Sequence, residues 1–250
     1  METQRTVLWG NIRPGWLLAG LIILGFVLGL IGDLFFPCPI SLPSACGSFT
    51  ATDLLAQSNG IVVYLHQFYQ LFTSILVTDS PIDAGFNAVA VLILDRLTDD
   101  TFNPPRYFLI FFLTAILGNL LTLLKGPQYA SAGASGGIFG LIAAVFSFSW
   151  ARENRIEITT LVFFLIVFVG SSFLIPDVNY VAHLGGAIGG FIAGPLLYFS
   201  LKPKLSNYLE TSKSSSITIK LTIALIALFT IGSVVQFALF VAWVLRVASN

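Results

Sequence analysis

A serine and a histidine, each placed among small residues at the start of an apolar segment, are the side chains best suited to chemistry in this chain. The serine lies in Gly133–Gly136 and the histidine in Ala182–Gly190. A serine hydroxyl becomes a nucleophile when a neighbouring base takes its proton, and imidazole is a common base. Only His66 and His183 are available, so Ser135 and His183 form the candidate pair. Polar groups at membrane depth are costly, which makes them candidates for function.

The composition indicates an integral membrane protein. Hydrophobic residues make up 56% of the chain and charged residues 10%, against about 25% charged residues in an average soluble domain. A helix needs about 20 apolar residues to cross a bilayer. We therefore predict an all-α, polytopic membrane helix bundle in which the second span is the shortest and most polar. The seven predicted spans are 15–36, 81–94, 105–124, 133–150, 158–175, 180–201 and 217–245.

The basic residues predict the orientation of the spans. If the chain starts in the cytoplasm, ten of the twelve Lys and Arg residues lie inside, and only Lys125 and Arg246 lie outside. Cytoplasmic loops carry such an excess of positive charge, and a bias of this strength fits a prokaryotic plasma membrane, while a eukaryotic organelle remains open. The formal net charge is zero, so we predict no nucleic-acid partner, because no basic patch is available to neutralise phosphates.

This orientation places the polar candidates in one leaflet. The fourth and sixth predicted spans both start at the outer surface, with Ser135 and His183 within about their first turn. The second span also starts outside, and its opening turn carries Asp83 and Asn87. Residues four apart share a helical face. Four polar side chains on three helices are therefore predicted at similar depth near the outer face.

Glycine spacing indicates that the serine and histidine helices can touch. Gly136 and Gly140 are four residues apart on one span, and Gly186 and Gly190 are four apart on the other. Small-residue stripes allow two helix backbones to approach closely, as a serine–imidazole hydrogen bond requires. The same stripes also serve ordinary helix packing, so they do not by themselves indicate catalysis.

The remaining segments divide the chain into a main membrane domain over 1–201, a cytoplasmic connector over 202–216 and a separate last helix within 217–250. In the outer segment between the first two spans, residues 61–64 and 68–72 suit amphipathic helices at the interface. Cys38 and Cys46 lie in the same segment. A disulfide between them and two free thiols both remain open.

The motifs resemble those of a known family. Gly133–Leu141, followed by Ala182–Gly190, closely resembles the GxSG and AHxxGxxxG motifs of rhomboid intramembrane serine proteases. Gln70–Ser74 resembles the segment that precedes the family's second span. The resemblance covers about residues 15–200 and implies a six-helix core, to which the last helix is an addition that some members carry. It also implies a hydrolase that cleaves transmembrane protein substrates within the bilayer and needs no metal or cofactor.

By this resemblance, Ser135 is the nucleophile and His183 the general base of a dyad without a third carboxylate. Phe139 matches an aromatic position that packs against the histidine ring. Gly133 and Gly136 allow the chain to bend sharply around the serine. The first backbone N–H groups of the fourth span can then stabilise an oxyanion near the outer face.

One position departs from the family pattern. The family typically has His-x-x-x-Asn at the start of the second span, where both side chains help to hold the oxyanion; this chain has Asp83 and Asn87. We expect Asn87 and the backbone to take this role, and Asp83 to act as a neutral donor or as a substrate contact. Asp83 also favours an alternative, a catalytically silent rhomboid-like protein that binds transmembrane helices. A transporter or channel is a third and less consistent class, because charged groups are not spread across the midplane.

Overall fold

The computed structural model describes residues 13–35, 51–78, 80–98, 102–152 and 178–206, together with residue 162. Cys38, Cys46, most of the predicted fifth span and the predicted last span lie outside these ranges. The elements are α1 Pro14–Phe35, α2 Ala51–Leu55, β1 Gln57–Ser58, α3 Asn59–Tyr64, α4 Gln70–Thr73, α5 Pro81–Thr98, α6 Pro104–Thr122, a 3₁₀ turn Leu123–Lys125, β2 Ala130–Ser131, α7 Ser135–Ala151 and α8 Tyr180–Ser206.

The described residues form the helical membrane protein that the composition predicts. Helices α1, α6 and α8 are long and apolar enough to cross a bilayer, and α7 is a shorter apolar helix. Five predicted spans coincide with α1, α5, α6, α7 and α8, within a few residues at most ends. The prediction that the second span ends at residue 94 is wrong, because α5 continues to Thr98. The extra turn includes Asp95, which is 4% exposed and accepts a 3.1 Å hydrogen bond from the Gly15 backbone N–H.

Helix α7 is the centre of the bundle. Thirteen of its 17 residues are buried, and Ile138, Leu141 and Ile142 are completely inaccessible. Helices α6 and α8 pack against it on adjacent sides, α5 contacts it less extensively, and α1 packs on α5. A helix enclosed by protein on most of its surface does not have to match the full hydrocarbon thickness, which is consistent with the shorter length of α7.

The outer segment is fastened to the bundle by buried amides. Strand β1 pairs antiparallel with β2, with Gln57 opposite Ser131. The Asn59 side-chain amide donates to the carbonyl groups of Thr122 and Gly126, at 2.8 and 2.9 Å. Gln57 donates to the carbonyl of Asn119 at 2.9 Å. These bonds hold the segment that precedes α5 against the C-terminal end of α6.

The predicted interfacial helices are present as α3 and α4. Val63, Tyr64 and Phe68 are exposed, as expected for groups that meet the membrane surface. Tyr69 is buried instead, and its hydroxyl donates to the Leu54 carbonyl at 3.0 Å. Burial raises the pKa of Tyr69 to about 12, so this hydroxyl remains a donor at neutral pH.

Candidate functional site

Ser135 is the first residue of α7, and the backbone turns sharply just before it. Gly133 has a φ of +123°, which residues with a side chain rarely adopt. The Gly133 N–H donates to the Ser74 carbonyl at 2.8 Å, which ties this turn to the end of α4. Within the described part of the chain, no side chain caps the start of α7. The N–H groups of Ser135 and Gly136 have no acceptor inside the helix and are available to a ligand.

His183 lies in the first turn of α8 and reaches the serine directly. Its Nε2 atom is 2.7 Å from the Ser135 Oγ atom. The imidazole is 8% exposed and stacks on Phe139, with 4.2 Å between ring centroids and 12° between planes. Phe139 is one helical turn beyond Ser135, so α7 carries both the hydroxyl and the surface that orients the ring.

Glycine contacts bring the two helices together. A Cβ atom on Gly186 would overlap the carbonyl group of Gly136, and one on Gly190 would overlap the carbonyl group of Gly140. A Cβ atom on Gly140 would in turn overlap the Thr114 side chain of α6. All four glycines of the two predicted stripes therefore lie where α7 meets its neighbours. Larger residues there would separate the backbones.

Asn87 and Asp83 lie beside the turn that leads to Ser135. A Cβ atom built on Gly133 would be 3.0 Å from Asp83 Oδ2 and 3.9 Å from Asn87 Nδ2. Asn87 is 3% exposed, and its Nδ2 atom has no hydrogen-bond partner among the described residues. Asp83 is half-buried, and its backbone N–H donates to Ser80 Oγ at 3.2 Å. The structure thus brings α5, the Gly133 turn and the serine–histidine pair together at one end of the bundle.

Asn179 is a residue of this site that the sequence reasoning missed. Its Oδ1 atom accepts a hydrogen bond from the Ala182 N–H at 3.2 Å, so Asn179 caps the start of α8. Ala182 directly precedes His183. Its Nδ2 group donates at 2.8 Å to both Thr122 Oγ1 and Ser131 Oγ. The available signal was an asparagine placed just before an apolar helix, which is a favoured N-cap. The two further bonds connect distant segments and could not be predicted from spacing.

An asparagine within a span is expected to form a hydrogen bond to a neighbouring helix, and Asn119 in addition supports the candidate site. Its Nδ2 group donates to the Leu71 carbonyl at 2.9 Å and to Ser74 Oγ at 3.0 Å. Ser74 is also the residue whose carbonyl accepts from Gly133. Asn119 therefore supports the turn before Ser135 indirectly, through Ser74.

Lys125 contacts two tyrosine rings beside this site. Its ammonium group is 3.5 Å from the centroid of the Tyr129 ring and 4.9 Å from that of Tyr180. Tyr129 precedes β2 and Tyr180 begins α8, so one cation bridges two segments that flank the serine–histidine pair. In the described part of the chain, no group of three or more His, Cys, Asp or Glu residues could hold a metal ion.

Comparison with known proteins places this geometry in a family. The family model described as "Rhomboid domain" matches residues 65–200, more than half of the chain. The chain belongs to the rhomboid family. The matched region begins in the outer segment and ends within α8, so it includes every site residue described above. Rhomboid membership and the apolar helices together establish an integral, multi-pass membrane protein.

The relatives include both named proteases and a named inactive protein. Rhomboid protease GluP of Bacillus subtilis (strain 168) is 27% identical over 158 residues, covering 60% of this chain and 31% of GluP. Putative rhomboid protease YdcA of the same organism is 29% identical over 130 residues, covering 50% of this chain and 65% of YdcA. Inactive rhomboid protein 2 of Homo sapiens is 28% identical over 148 residues, covering 56% and 16% of the two chains. The matches thus span less than two thirds of each relative. Rhomboid membership is compatible both with a protease and with a catalytically inactive protein.

Proposed function

We propose that this rhomboid is an intramembrane serine protease in which Ser135 is the nucleophile and His183 is the general base. The observation that carries the proposal is the 2.7 Å separation between Ser135 Oγ and His183 Nε2. This distance is within the range of about 2.6–3.2 Å for a base that takes a proton from a nucleophile. The substrates would be transmembrane proteins cut in or near their membrane segments, and the chemistry needs no cofactor.

The reaction follows from the two side chains. Nε2 accepts the hydroxyl proton while Oγ attacks the carbonyl carbon of the substrate, and the imidazolium then gives that proton to the departing amine. A water molecule repeats the sequence with the acyl-serine, which releases the second product and restores the hydroxyl. In serine proteases with a triad, a carboxylate orients the imidazole. Here the Phe139 ring, stacked at 4.2 Å, supports the orientation of the His183 ring.

The start of α7 and Asn87 are suited to hold the oxyanion. The N–H groups of Ser135 and Gly136 are next to the nucleophile, and Gly133 leaves room for a substrate carbonyl. The Asn87 Nδ2 group is a buried donor that lacks an acceptor among the described residues. A buried unsatisfied donor costs about 1–3 kcal/mol. An oxyanion that accepts this hydrogen bond in the transition state removes the cost of the unsatisfied donor. Because the cost is removed only in the transition state, the activation barrier is lowered.

The active site would open toward the outer face of a prokaryotic plasma membrane, with the chain before α1 in the cytoplasm. Ser135 is half-buried, which leaves a route for the water that hydrolysis consumes. A substrate helix must unwind locally, because the carbonyl of a helical peptide bond is already hydrogen-bonded within the helix. The catalytic unit would be residues 1–201, followed by the connector 202–216 and the additional helix within 217–250.

The second candidate is a catalytically silent protein that binds transmembrane helices, and Asp83 is the observation that favours it. Asp83 Oδ2 would lie 3.0 Å from a Cβ atom on Gly133, beside the position where an oxyanion must form. An ionised carboxylate there would repel the developing charge. One relative is named as an inactive rhomboid protein. The two candidates differ in whether the serine reacts.

Reconstituted vesicles provide the test of proteolysis. Wild-type protein, Ser135→Ala and His183→Ala are each incubated with a panel of fusion proteins that carry a single transmembrane segment with helix-weakening residues. Cleavage by the wild type alone supports the dyad, whereas cleavage retained by either variant removes that residue from it. Ser147→Ala is the matched control, since Ser147 is a buried serine on the same helix whose hydroxyl donates to the backbone carbonyls of Ala144 and Gly190. Binding of the panel without cleavage by folded wild type would favour the silent candidate.

A further inference from the structure

An apolar groove of about 520 Å³ lies between α6 and α8, away from the serine–histidine pair. We refer to it as the α6/α8 groove. Leu113 and Leu117 line it from α6, and Ile192 and Leu196 line it from α8. Leu113, Ile192 and Leu196 are 57%, 55% and 65% exposed, respectively, so more than half of the surface of each residue is uncovered. Arg106 and Ser200 lie at one end of the groove.

The groove belongs to the cytoplasmic half of the bundle. Arg106 is in the first turn of α6, and Ser200 lies about 25 Å along α8 from His183 at 1.5 Å per residue. The candidate catalytic pair is at the other, outer end of the same helix. An occupant of the groove would therefore not contact Ser135 or His183, and its role is separate from the proposed chemistry.

We propose that the α6/α8 groove is the binding site for the predicted last helix of this same chain, residues 217–245. Helix α8 ends at Ser206 on the cytoplasmic side, and the ten residues 207–216 lead to the start of that helix. Ten extended residues reach at most about 33–36 Å, whereas packed helices are about 8–10 Å apart. Consecutive elements joined by short connections are usually neighbours in space.

The direction and sequence of the last helix match the groove. By the predicted topology, this helix would run from the cytoplasm outward, antiparallel to α8, so its first half would lie at the depth of the groove. Leu221, Leu225 and Leu228 are spaced four and three residues apart and share one face of this half. These branched side chains are complementary to a groove lined by leucine and isoleucine. Because lipid is as apolar as leucine, the gain comes from close packing rather than from leaving water.

Charge supports the same placement at the membrane surface. Arg106 is half-buried at the cytoplasmic end of the groove. Glu210 is the only acidic residue in the sequence between 207 and 250, and it lies in the connector at the same side of the membrane. A connector that passes the mouth of the groove brings this carboxylate within reach of the guanidinium. Partly buried pairs of this kind are screened less than exposed ones.

The predicted fifth span is a poorer occupant. It follows the cytoplasmic end of α7, where Phe146 and Trp150 lie against Phe191 of α8. Phe191 and the groove residues lie on opposite sides of the α8 stripe that contacts α7 through Gly190 and Gly194. A helix that continued from this edge of α7 would therefore pack on the side of α8 away from α6.

Disulfide cross-linking in membranes tests the proposal with the full chain. Cys38 and Cys46 are replaced by serine, and a cleavage site for a sequence-specific protease is inserted after Lys213. Two cysteine pairs are introduced at matching depths, Leu196→Cys with Leu221→Cys and Ile192→Cys with Leu225→Cys. After oxidation and cleavage, fragments of one chain stay together on a non-reducing gel only if the pair is linked. The control pair joins Leu225→Cys to Leu24→Cys, which is 51% exposed at a similar depth on α1.

The proposal expects both groove pairs to remain linked within one chain and the α1 pair to separate. If the fragments separate with both groove pairs, and the variants unfold at the same temperature as the parent, the proposal is overturned in favour of lipid in the groove. Links formed only between chains would overturn it in favour of a second copy.

A steric variant gives an independent measurement. Ala193→Trp fills the groove and should abolish the link between positions 196 and 221, whereas Gly20→Trp, at a site with nothing within 4 Å of an added Cβ, should preserve it. A link that persists with Ala193→Trp would contradict the proposed position.

Discussion

Gly186 packs against the carbonyl group of Gly136 so closely that the space for a Cβ atom on Gly186 is already occupied. Gly136 follows the candidate nucleophile directly, and Gly186 is three residues beyond His183. This backbone contact therefore sets the separation of α7 and α8 at the depth of the dyad. We expect the 2.7 Å hydrogen bond between Ser135 and His183 to depend on this contact.

Gly186→Ala should reduce activity by displacing His183 from Ser135. The added methyl group must move one backbone away from the other, and a misplacement of about 1 Å can cost on the order of 10²-fold in rate. We expect a loss of about that size in cleavage rate, together with a lower unfolding temperature. The matched control is Gly85→Ala on α5, where an added Cβ meets nothing within 4 Å. Equal activity of the two alanine variants would argue against the contact as the determinant of dyad geometry.

Asn87→Ala should lower kcat with little effect on stability. Loss of one oxyanion donor typically costs about 10²–10³ in kcat. The Asn87 Nδ2 group makes no hydrogen bond to the described residues, so its removal breaks none there. Kinetics and thermal unfolding measured on the same preparation separate the two effects. Asn103→Ala provides the opposite control, because Asn103 caps α6 through the Arg106 N–H and should affect stability by about 0.5–2 kcal/mol and leave kcat unchanged. An unchanged kcat in Asn87→Ala would remove Asn87 from the oxyanion site.

Asp83→Asn and Asp83→His should increase turnover. Each replaces a carboxyl group beside Gly133 with a neutral group that can donate a hydrogen bond, so the repulsion that an ionised Asp83 would exert on the oxyanion is removed. We expect about a tenfold rise in kcat, which corresponds to about 1.4 kcal/mol in the barrier. Steady-state cleavage by the two variants and the wild type measures it. No change in either variant would mean that the Asp83 carboxyl does not act on the reacting group.

Substitutions of Asn179 should separate helix capping from positioning of the dyad. Asn179→Asp keeps the oxygen that accepts from the Ala182 N–H but loses the donors to Thr122 and Ser131, whereas Asn179→Ala loses both functions. We expect kcat to fall in both variants, while only the alanine variant also loses about 1 kcal/mol of stability through the missing cap. An aspartate variant with wild-type kcat would show that the two amide donors do not position His183.

The sequence was sufficient for those features that depend on local pattern. Apolar runs predicted the helices α1 and α5 to α8, and counting membrane crossings placed Ser135 and His183 at the same depth before any contact was known. Glycine spacing also identified the residues at the α7–α8 contact. These inferences succeed because hydrocarbon thickness and helical periodicity limit the possible arrangements.

Features that depend on long-range pairing could not be predicted. The β1–β2 pairing, the Asn59 hydrogen bonds to the end of α6 and the two hydrogen bonds donated by the Asn179 amide each join segments about 50–75 residues apart in sequence. The end of α5 was misjudged for a similar reason. Asp95 reads as the polar end of a span, but its carboxylate is buried against the start of α1, and the helix continues past it.

The most direct test of the central claim is labelling of the detergent-solubilised full chain by a fluorescent fluorophosphonate, which reacts with an activated serine. Wild type, Ser135→Ala, His183→Ala and the control Ser147→Ala are compared, with thermal unfolding measured for each. We predict labelling of the wild type and of Ser147→Ala, and none of the other two. Labelling that persists in Ser135→Ala or His183→Ala, or a folded wild type that does not react, would contradict the Ser135–His183 dyad.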